Sequence, residues 1–391
     1  MVAPPSKSTS FSWRSKAFRG VLYQVIVLGL LAVAVAYLLH NTLENMRVRG
    51  IKSGFDFITQ PAGFAIGESV VPFDSSESYG KAFLVGLSNT FRVALLGIVA
   101  ATVLGTLVGI GRLSKNFLVR TLSGGYVDLL RNVPLLLQLF IWYFVLTEKL
   151  PPIEEALHPL PGFFFSKNGL QFPHPTWADG HVFTLVGLAL GIVGAWAWAR
   201  HSRSRFEATG RPLPVAVPAL GIIVLAVLAG WIAGGAPAGM DSPEKTEINV
   251  VGGGAVTPEF LTVLIGLTVY TAAYIAEVVR AGIQSVPYGQ HEASVSLGLS
   301  RGQELRLVQL PQALRVIIPP MTNQYLNLTK NSSLAVAVGY PDLVSISNTS
   351  LNQTGRAIEC IALVMACYLT LSLLTSAGMN WYNRRAAIKE R

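Results

Sequence analysis

Charge is scarce in this chain. Of 391 residues, 13% are Asp, Glu, Lys or Arg, against ~25% in soluble domains. That scarcity excludes an ordinary soluble enzyme and a disordered chain, both of which need a solvated surface. Cysteine is nearly absent. Cys360 and Cys367 lie in one apolar stretch, and on one helix roughly 10.5 Å of rise would separate them. That is beyond disulfide reach, so they read as apolar packing residues and a disulfide scaffold is excluded. No Cys/His group has zinc-ligand spacing. No Gly-x-x-x-x-Gly-Lys-Ser/Thr occurs either. Gly80-Lys81 lacks both the upstream glycine and the Ser/Thr, so the sequence offers no loop to cradle phosphates.

Hydrophobic residues make up 51% of the chain, and apolar runs of bilayer-crossing length recur. They fall at about 21–39, 83–111, 117–146, 183–199, 214–233, 260–279, 316–346 and 358–377. This predicts an all-α integral membrane protein with about eight transmembrane helices. The third run has polar residues near its middle. The seventh is interrupted by Pro319-Pro320 and by Lys330-Asn331-Ser332-Ser333, so both are candidates for broken helices. The first run follows Lys7, Arg14, Lys16 and Arg19. Ala34-Val35-Ala36 offers a signal-peptide cleavage site, but the run continues past it and reads as a retained anchor.

The net charge of +9 suggests orientation in a membrane rather than nucleic acid. With the N-terminus in the cytoplasm, the inside segments hold 19 of the 30 Lys/Arg, including Arg200, Arg203, Arg205 and Arg211 at one turn; the outside segments hold 8. This positive-inside bias places both termini in the cytoplasm. Three basic residues, Arg92, Arg131 and Lys330, fall within the runs. The outside segments are acidic, with twelve Asp/Glu against seven Lys/Arg in 40–82, 148–182 and 237–257, a balance suited to orienting a partner. His158, His174 and His181 share one of these segments without metal-motif spacing.

The segment 285–311 is unlike a plain connector. Pro287 suits a first helical turn, Gly298 a left-handed stop, and Ser300 with Gln303 a capping box. A short helix near 289–297, a turn and a second helix are expected. They present Gln290, Glu292, Ala293 and Ser296 to water as a rigid elbow.

Glu292-Ala293-Ser294, then Gly298 after three intervening residues, and Leu310-Pro311 after eleven more closely resemble the EAA loop of ABC-importer permease subunits. Only the second alanine departs, as the small Ser294. The resemblance implies a coupling helix that docks in a groove of an ATPase subunit, with Gln290, Glu292, Ala293, Ser294, Gly298, Leu310 and Pro311 forming the joint. Three further stretches are similar to the polar-amino-acid permeases. Tyr126 to Gln138 carries Asp128, Arg131, Pro134 and Gln138 in a Glu-x-x-Arg-Gly-Thr-Pro-x-x-x-Gln pattern, with Asp128 for Glu and Asn132-Val133 for Gly-Thr. Tyr274 to Gln284 carries Glu277, Arg280 and Gly282. Asn323-Gln324-Tyr325 leads to Lys330, Ser332, Ser333 and Leu334. Together they cover about 83–147 and 258–380. The first span, the long outer loops and the 183–233 hairpin look most like the larger permease of general L-amino-acid systems.

The resemblance implies a type I importer permease core with an extra N-terminal helix and an inserted helical hairpin. Residues 1–82 form tail, anchor and outer loop; 83–147 the first part of the core; 148–257 the inserted loops and hairpin; 258–391 the second part with the coupling loop 285–311. It also implies a multi-pass protein of a bacterial inner membrane that imports polar L-amino acids by alternating access, with no chemistry of its own and neither a catalytic nor a metal site. The expected partners are a pair of ATPase subunits using ATP and Mg, a second homologous permease, a periplasmic solute-binding protein, the amino acid and membrane lipid; no nucleic acid is expected. Two rivals remain: an ion-coupled secondary amino-acid transporter, and an ABC permease for another polar solute.

Charges at bilayer depth face a bundle interior or water. Arg92 is either a pathway residue meeting a substrate carboxylate or a side chain snorkelling outward. Asp128 and Arg131, at i, i+3, either neutralise each other or leave Arg131 to bind a neighbouring helix end. Glu277 and Arg280 are expected to fix the junction with the coupling loop. Asn323, Gln324, Lys330, Ser332 and Ser333 form either a polar gate on the pathway or a structural kink. Gly105-x-x-x-Gly109 and Gly187-x-x-x-Gly191 predict close helix approach.

Overall fold

The structure, a computed structural model, describes residues 16–48, 50, 53–210, 213–246 and 250–386. Lys7, Arg14 and Arg211 lie outside the described residues. The helices are α1 (Lys16–Val48), α2 (Tyr79–Gly111), α3 (Phe117–Asn132), α4 (Leu135–Phe144), α5 (His181–Thr209), α6 (Ala216–Ala233), α7 (Pro258–Gln284), α8 (Tyr288–Ser296), α9 (Arg301–Glu304), α10 (Leu310–Asn331), α11 (Leu343–Thr354) and α12 (Ala357–Ala386). Among the described residues seven short strands accompany them: β1 (Phe164–Ser166), β2 (Gly169–Phe172), β3 (His174–Pro175), β4 (Met240–Asp241), β5 (Glu244–Lys245), β6 (Val250–Val251) and β7 (Gly254–Val256).

Six described helices are long and apolar enough to cross a membrane: α1, α2, α5, α6, α7 and α12. A seventh span results if α3 and the segment Leu135–Lys149, bent by 106° at their junction, count as one. The expected eighth, at 316–346, does not meet that measure. Asn323, Gln324, Asn327 and Lys330 lower the apolarity of α10. Its break also sits in one place rather than two. The helix runs unbroken through Pro319-Pro320 and yields to a 3₁₀ turn only at Ser332–Val338. Prolines are tolerated in membrane helices where neighbours pack against them.

The chain divides into two units, the boundary falling inside α2. The first comprises residues up to Phe91 together with Pro341–Tyr382. Its core gathers Phe57, Ala62, Tyr79, Ala82, Leu343, Ile346 and Cys360. Gly86 lets α2 lie against α11, since a Cβ there would stand 3.0 Å from Leu343 Cα. Asn89 donates to the carbonyls of Glu68 and Pro341, both at 2.9 Å, and the Thr90 hydroxyl accepts from the Leu343 amide at 3.1 Å. The loop before α2 is held by one glycine. The N–H of Gly54 donates to Glu359 Oε1, and its carbonyl accepts from Arg356 at 2.6 Å. Arg356 also pairs with Asp56 at 2.8 Å, which satisfies a buried guanidinium.

The second unit comprises Arg92–Tyr340 and Asn383–Arg391. It is built around α7, whose buried positions run from Phe260 to Gly282. The apolar core joins Val93, Ala101, Leu139, Leu267, Ile275, Ile317 and Leu328. The expected close approach at Gly105 and Gly109 is present: a Cβ at either would stand 2.8 or 2.7 Å from the carbonyls of Ala272 or Ala276. Hairpin α5–α6 packs chiefly on itself. A Cβ at Gly187 would come 2.3 Å from the Ala226 carbonyl oxygen, so only glycine permits this spacing.

The fold is helical as expected, and the short strands lie in the loops beside α5 and α6. β1 and β2 form a hairpin across Lys167-Asn168, and β2 pairs antiparallel with β7 from beyond α6. β3 with β4 and β5 with β6 add two small pairs. The loops flanking α5–α6 are therefore zipped together by backbone hydrogen bonds. Gly169, just after the Lys167-Asn168 turn, takes φ +104°, a conformation that favours glycine.

Candidate functional site

The expected elbow is present at α8. Pro287 stands at its N-terminal cap with extended backbone. At the other end Gly298 takes φ +73°. The Leu299 amide donates to the Ser294 carbonyl at 3.1 Å, the closing bond of a left-handed helix stop. The Ser300–Gln303 capping box then starts α9. Gln290, Glu292, Ala293, Ser296 and Gly298 are exposed. Ser294 is the one buried residue of the helix. Its hydroxyl donates to the Gln290 carbonyl at 2.7 Å, so serine fits where the family pattern has alanine.

Leu310 and Pro311 open α10, and between α9 and α10 the chain makes a wide π turn, Leu305–Gln309. Proline lacks an N–H, and its ring crowds the carbonyl four residues back. A π turn relieves that crowding by one extra residue. Glu304 sits inside this elbow with its side chain 5% exposed. Its Oε1 accepts from His291 Nδ1 of α8 at 2.7 Å and from Gln309 Nε2 at 2.6 Å. Gln312 donates to Gln290 at 3.0 Å. Beside the pair lies a cleft of about 510 Å³, lined in part by Lys115, Val295, Leu299 and Arg301.

The elbow is carried by α7 and α10, which cross closely: a Cβ on Gly282 would stand 2.2 Å from Ile317 Cγ1. At the same end of α7, Glu277 pairs with Arg280, Nε to Oε2 at 3.1 Å, and also with Arg112 at the end of α2. Glu277 and Arg280 thus form a three-residue cluster with Arg112, which comes from a distant part of the sequence. Arg280 passes the network on to Gln284.

The expected neutralisation of Asp128 by Arg131 is not found among the described residues. Both side chains are exposed, where an ion pair gains little. Arg131 instead lies 5.1 Å over the ring of Tyr274, within α7 rather than at a helix end. Pro134 caps α4 at ψ 137° and makes the sharp bend. Gln138 stabilises that bend. Buried, it donates to the Leu130 and Val133 carbonyls at 2.9 Å each, satisfying the end of α3.

Arg92 is half-buried, 4.0 Å over the Phe260 ring. On α10, Asn323 and Lys330 are exposed and Gln324 half-buried. Ser332 is buried and its hydroxyl donates to the Thr329 carbonyl at 2.7 Å, while Ser333 donates to Lys330 at 2.8 Å. These two serines therefore bond to their own chain at the point where the helix tightens. Among the described residues no His/Cys/Asp/Glu group is arranged to hold a metal. Of the three histidines, His158 packs on Phe164, His174 lies in β3, and His181 bonds back to Ala178.

The family described as the inner membrane component of binding-protein-dependent transport systems matches residues 191–388, which contain the whole elbow. The general L-amino acid transport system permease protein AapQ of Rhizobium johnstonii is 42% identical over 99% of this chain and 98% of its own. The chain belongs to this family of transport permeases. The putative amino-acid ABC transporter permease protein YhdX of Escherichia coli is 46% identical over 98% of each chain. The glutamate/glutamine/aspartate/asparagine transport system permease protein BztB of Rhodobacter capsulatus is 38% identical over 96% of this chain and 95% of its own. Kinship extends along the full length, so α1, the β-zipped loops and hairpin α5–α6 belong to the permease as much as its core does. The recognition as the larger general L-amino-acid permease type, and as a multi-span membrane protein, holds.

Glu304, His291, Gln138, Arg112, Arg356 and Glu359 were not singled out as site residues by sequence reasoning. Gln138 had a signal in its place four residues after Pro134. Arg112 and Arg356 had none, because their partners lie far away in sequence.

Proposed function

We propose that this permease is the membrane-spanning subunit of an ATP-driven importer of polar L-amino acids, coupled to a separate ATPase through α8. The observation that carries this reading is the elbow. A short helix with exposed Glu292 and Ala293 ends on a left-handed Gly298 and is followed by a capping box. Such a rigid, solvent-facing helix suits a groove in another protein better than a simple connection between spans. In this reading both termini are cytoplasmic, the membrane is a bacterial inner membrane, and the β-zipped loops face the periplasm, where a binding protein delivers the substrate. ATP and Mg are used by a pair of ATPase subunits. A second, homologous permease completes the pathway, and helix pairs rock so that it opens to each side in turn. The substrate class follows the names of the full-length relatives.

Co-purification tests the joint. The tagged wild-type chain, expressed with its candidate ATPase, is expected to retain it stably. Gly298→Asp places a side chain in left-handed backbone and adds a charge at the joint; it should insert normally and lose the ATPase. Amino-acid uptake by the wild-type chain with no ATPase present would favour an ion-coupled secondary transporter.

A further inference from the structure

We propose that Glu304 and His291 are positioning residues that transmit displacement of α8 to α10. The proposal rests on the coupling role given to α8 above. α8 has little apolar hold on its surroundings: Tyr288 is 72% exposed and Val295 57%. Its ties to the chain beyond Gly298 are polar. His291 reaches the buried carboxylate of Glu304, which also accepts from Gln309, and Gln290 accepts from Gln312. Glu304 ends α9, Gln309 ends the π turn, and Gln312 lies in the first turn of α10. A push on α8 therefore reaches the wide turn and α10 through these side chains. α10 is the helix that bears Asn323 and Lys330. A hydrogen-bonded carboxylate with little exposure holds its partners in one geometry, which suits a link that must carry motion in both directions. Of the joint residues, Gln290 belongs to this network as well, whereas the side chains of Glu292 and Ala293 and the Gly298 stop lie outside it. His291 and Glu304 are not joint residues, so transmission can be tested at these two without altering the docking surface.

The test uses the complete assembly in proteoliposomes, measuring ATP hydrolysed and radiolabelled L-glutamate and L-glutamine taken up. His291→Ala and Glu304→Ala are each expected to keep the ATPase bound and hydrolysing, while uptake per ATP falls by on the order of tenfold, a usual size for coupling between sites. The double variant should be no worse than either single one, because both remove the same link. Glu304→Gln keeps an accepting oxygen and should restore most of the ratio, whereas Glu304→Met, of similar volume but without that acceptor, should not; rescue by both would mean a purely steric role and overturn the link. Should Glu304→Ala fail to insert, His291→Ala decides alone, since that side chain is 41% exposed and its loss leaves the fold intact. An unchanged ratio in His291→Ala, or losses that multiply in the double variant, overturns the link while leaving the importer reading in place. A wild-type assembly that takes up neither amino acid with ATP overturns the reading on which the link rests.

Discussion

Gly298 shows how much one residue settles at this site. Its φ of +73° lies where a Cβ costs roughly 1–2 kcal/mol, yet no atom stands within 4 Å of where that Cβ would be. Gly298→Ala should therefore strain the turn without a clash. A modest loss of ATPase binding is expected, smaller than for Gly298→Asp, and titrating the purified ATPase against each variant would rank them. Arg356 offers a second case. It holds the Gly54 carbonyl and Asp56, while Glu359 holds the Gly54 amide. Arg356→Met should free the loop before α2 and cost about 2 kcal/mol, the range of hydrogen bonds to charged groups. A fall in the unfolding temperature in detergent would show it; an unchanged temperature would mean the clamp contributes nothing.

Among the elements, the hairpin α5–α6 makes the sharpest prediction. Gly187 and Gly230 face the carbonyls of Ala226 and Phe183, with 2.3 Å left for a Cβ at each, whereas Gly221 on α6 has nothing within 4 Å. Gly187→Leu should separate the helices and lower the yield of folded protein, and Gly221→Leu should leave it unchanged. Size-exclusion profiles of the two variants measure the difference. The Gly187-x-x-x-Gly191 spacing was legible because small residues at i, i+4 line one helix face. The elbow was legible for a similar reason: proline, glycine and capping residues act on their immediate neighbours. What was not legible is whatever depends on distant pairing. The strand β2 meets β7 across the whole hairpin, and two- to four-residue strands leave too little alternation to detect. The Asp128–Arg131 spacing pointed to a pair, but both lie at the surface, and the Tyr274 ring was the better partner for Arg131. Pro319-Pro320 pointed to a break, yet α10 runs through both prolines.

At the scale of the molecule, the chain combines a permease core with elements that pack mainly on themselves. The ends of hairpin α5–α6 adjoin: a Cβ at Gly180 would stand 2.1 Å from the Gly234 carbonyl. Replacing residues 181–233 by a short Gly-Ser linker should therefore leave β2–β7 pairing and the elbow intact. The shortened chain is expected to insert and still retain the ATPase in pull-down; loss of the ATPase would give the hairpin a part in building the core. Six apolar helices, or seven with the bent pair, and relatives matched along their full length agree on a multi-span permease. In the proposed function, the exposed α8 with its glycine stop receives work from outside the membrane. The most direct measurement is uptake of radiolabelled L-glutamate and L-glutamine by proteoliposomes holding the chain and its assembled partners, with and without ATP on the α8 side. The account predicts uptake that requires ATP and is abolished by Gly298→Asp. Equal uptake without ATP, or with the Gly298→Asp chain, would contradict it.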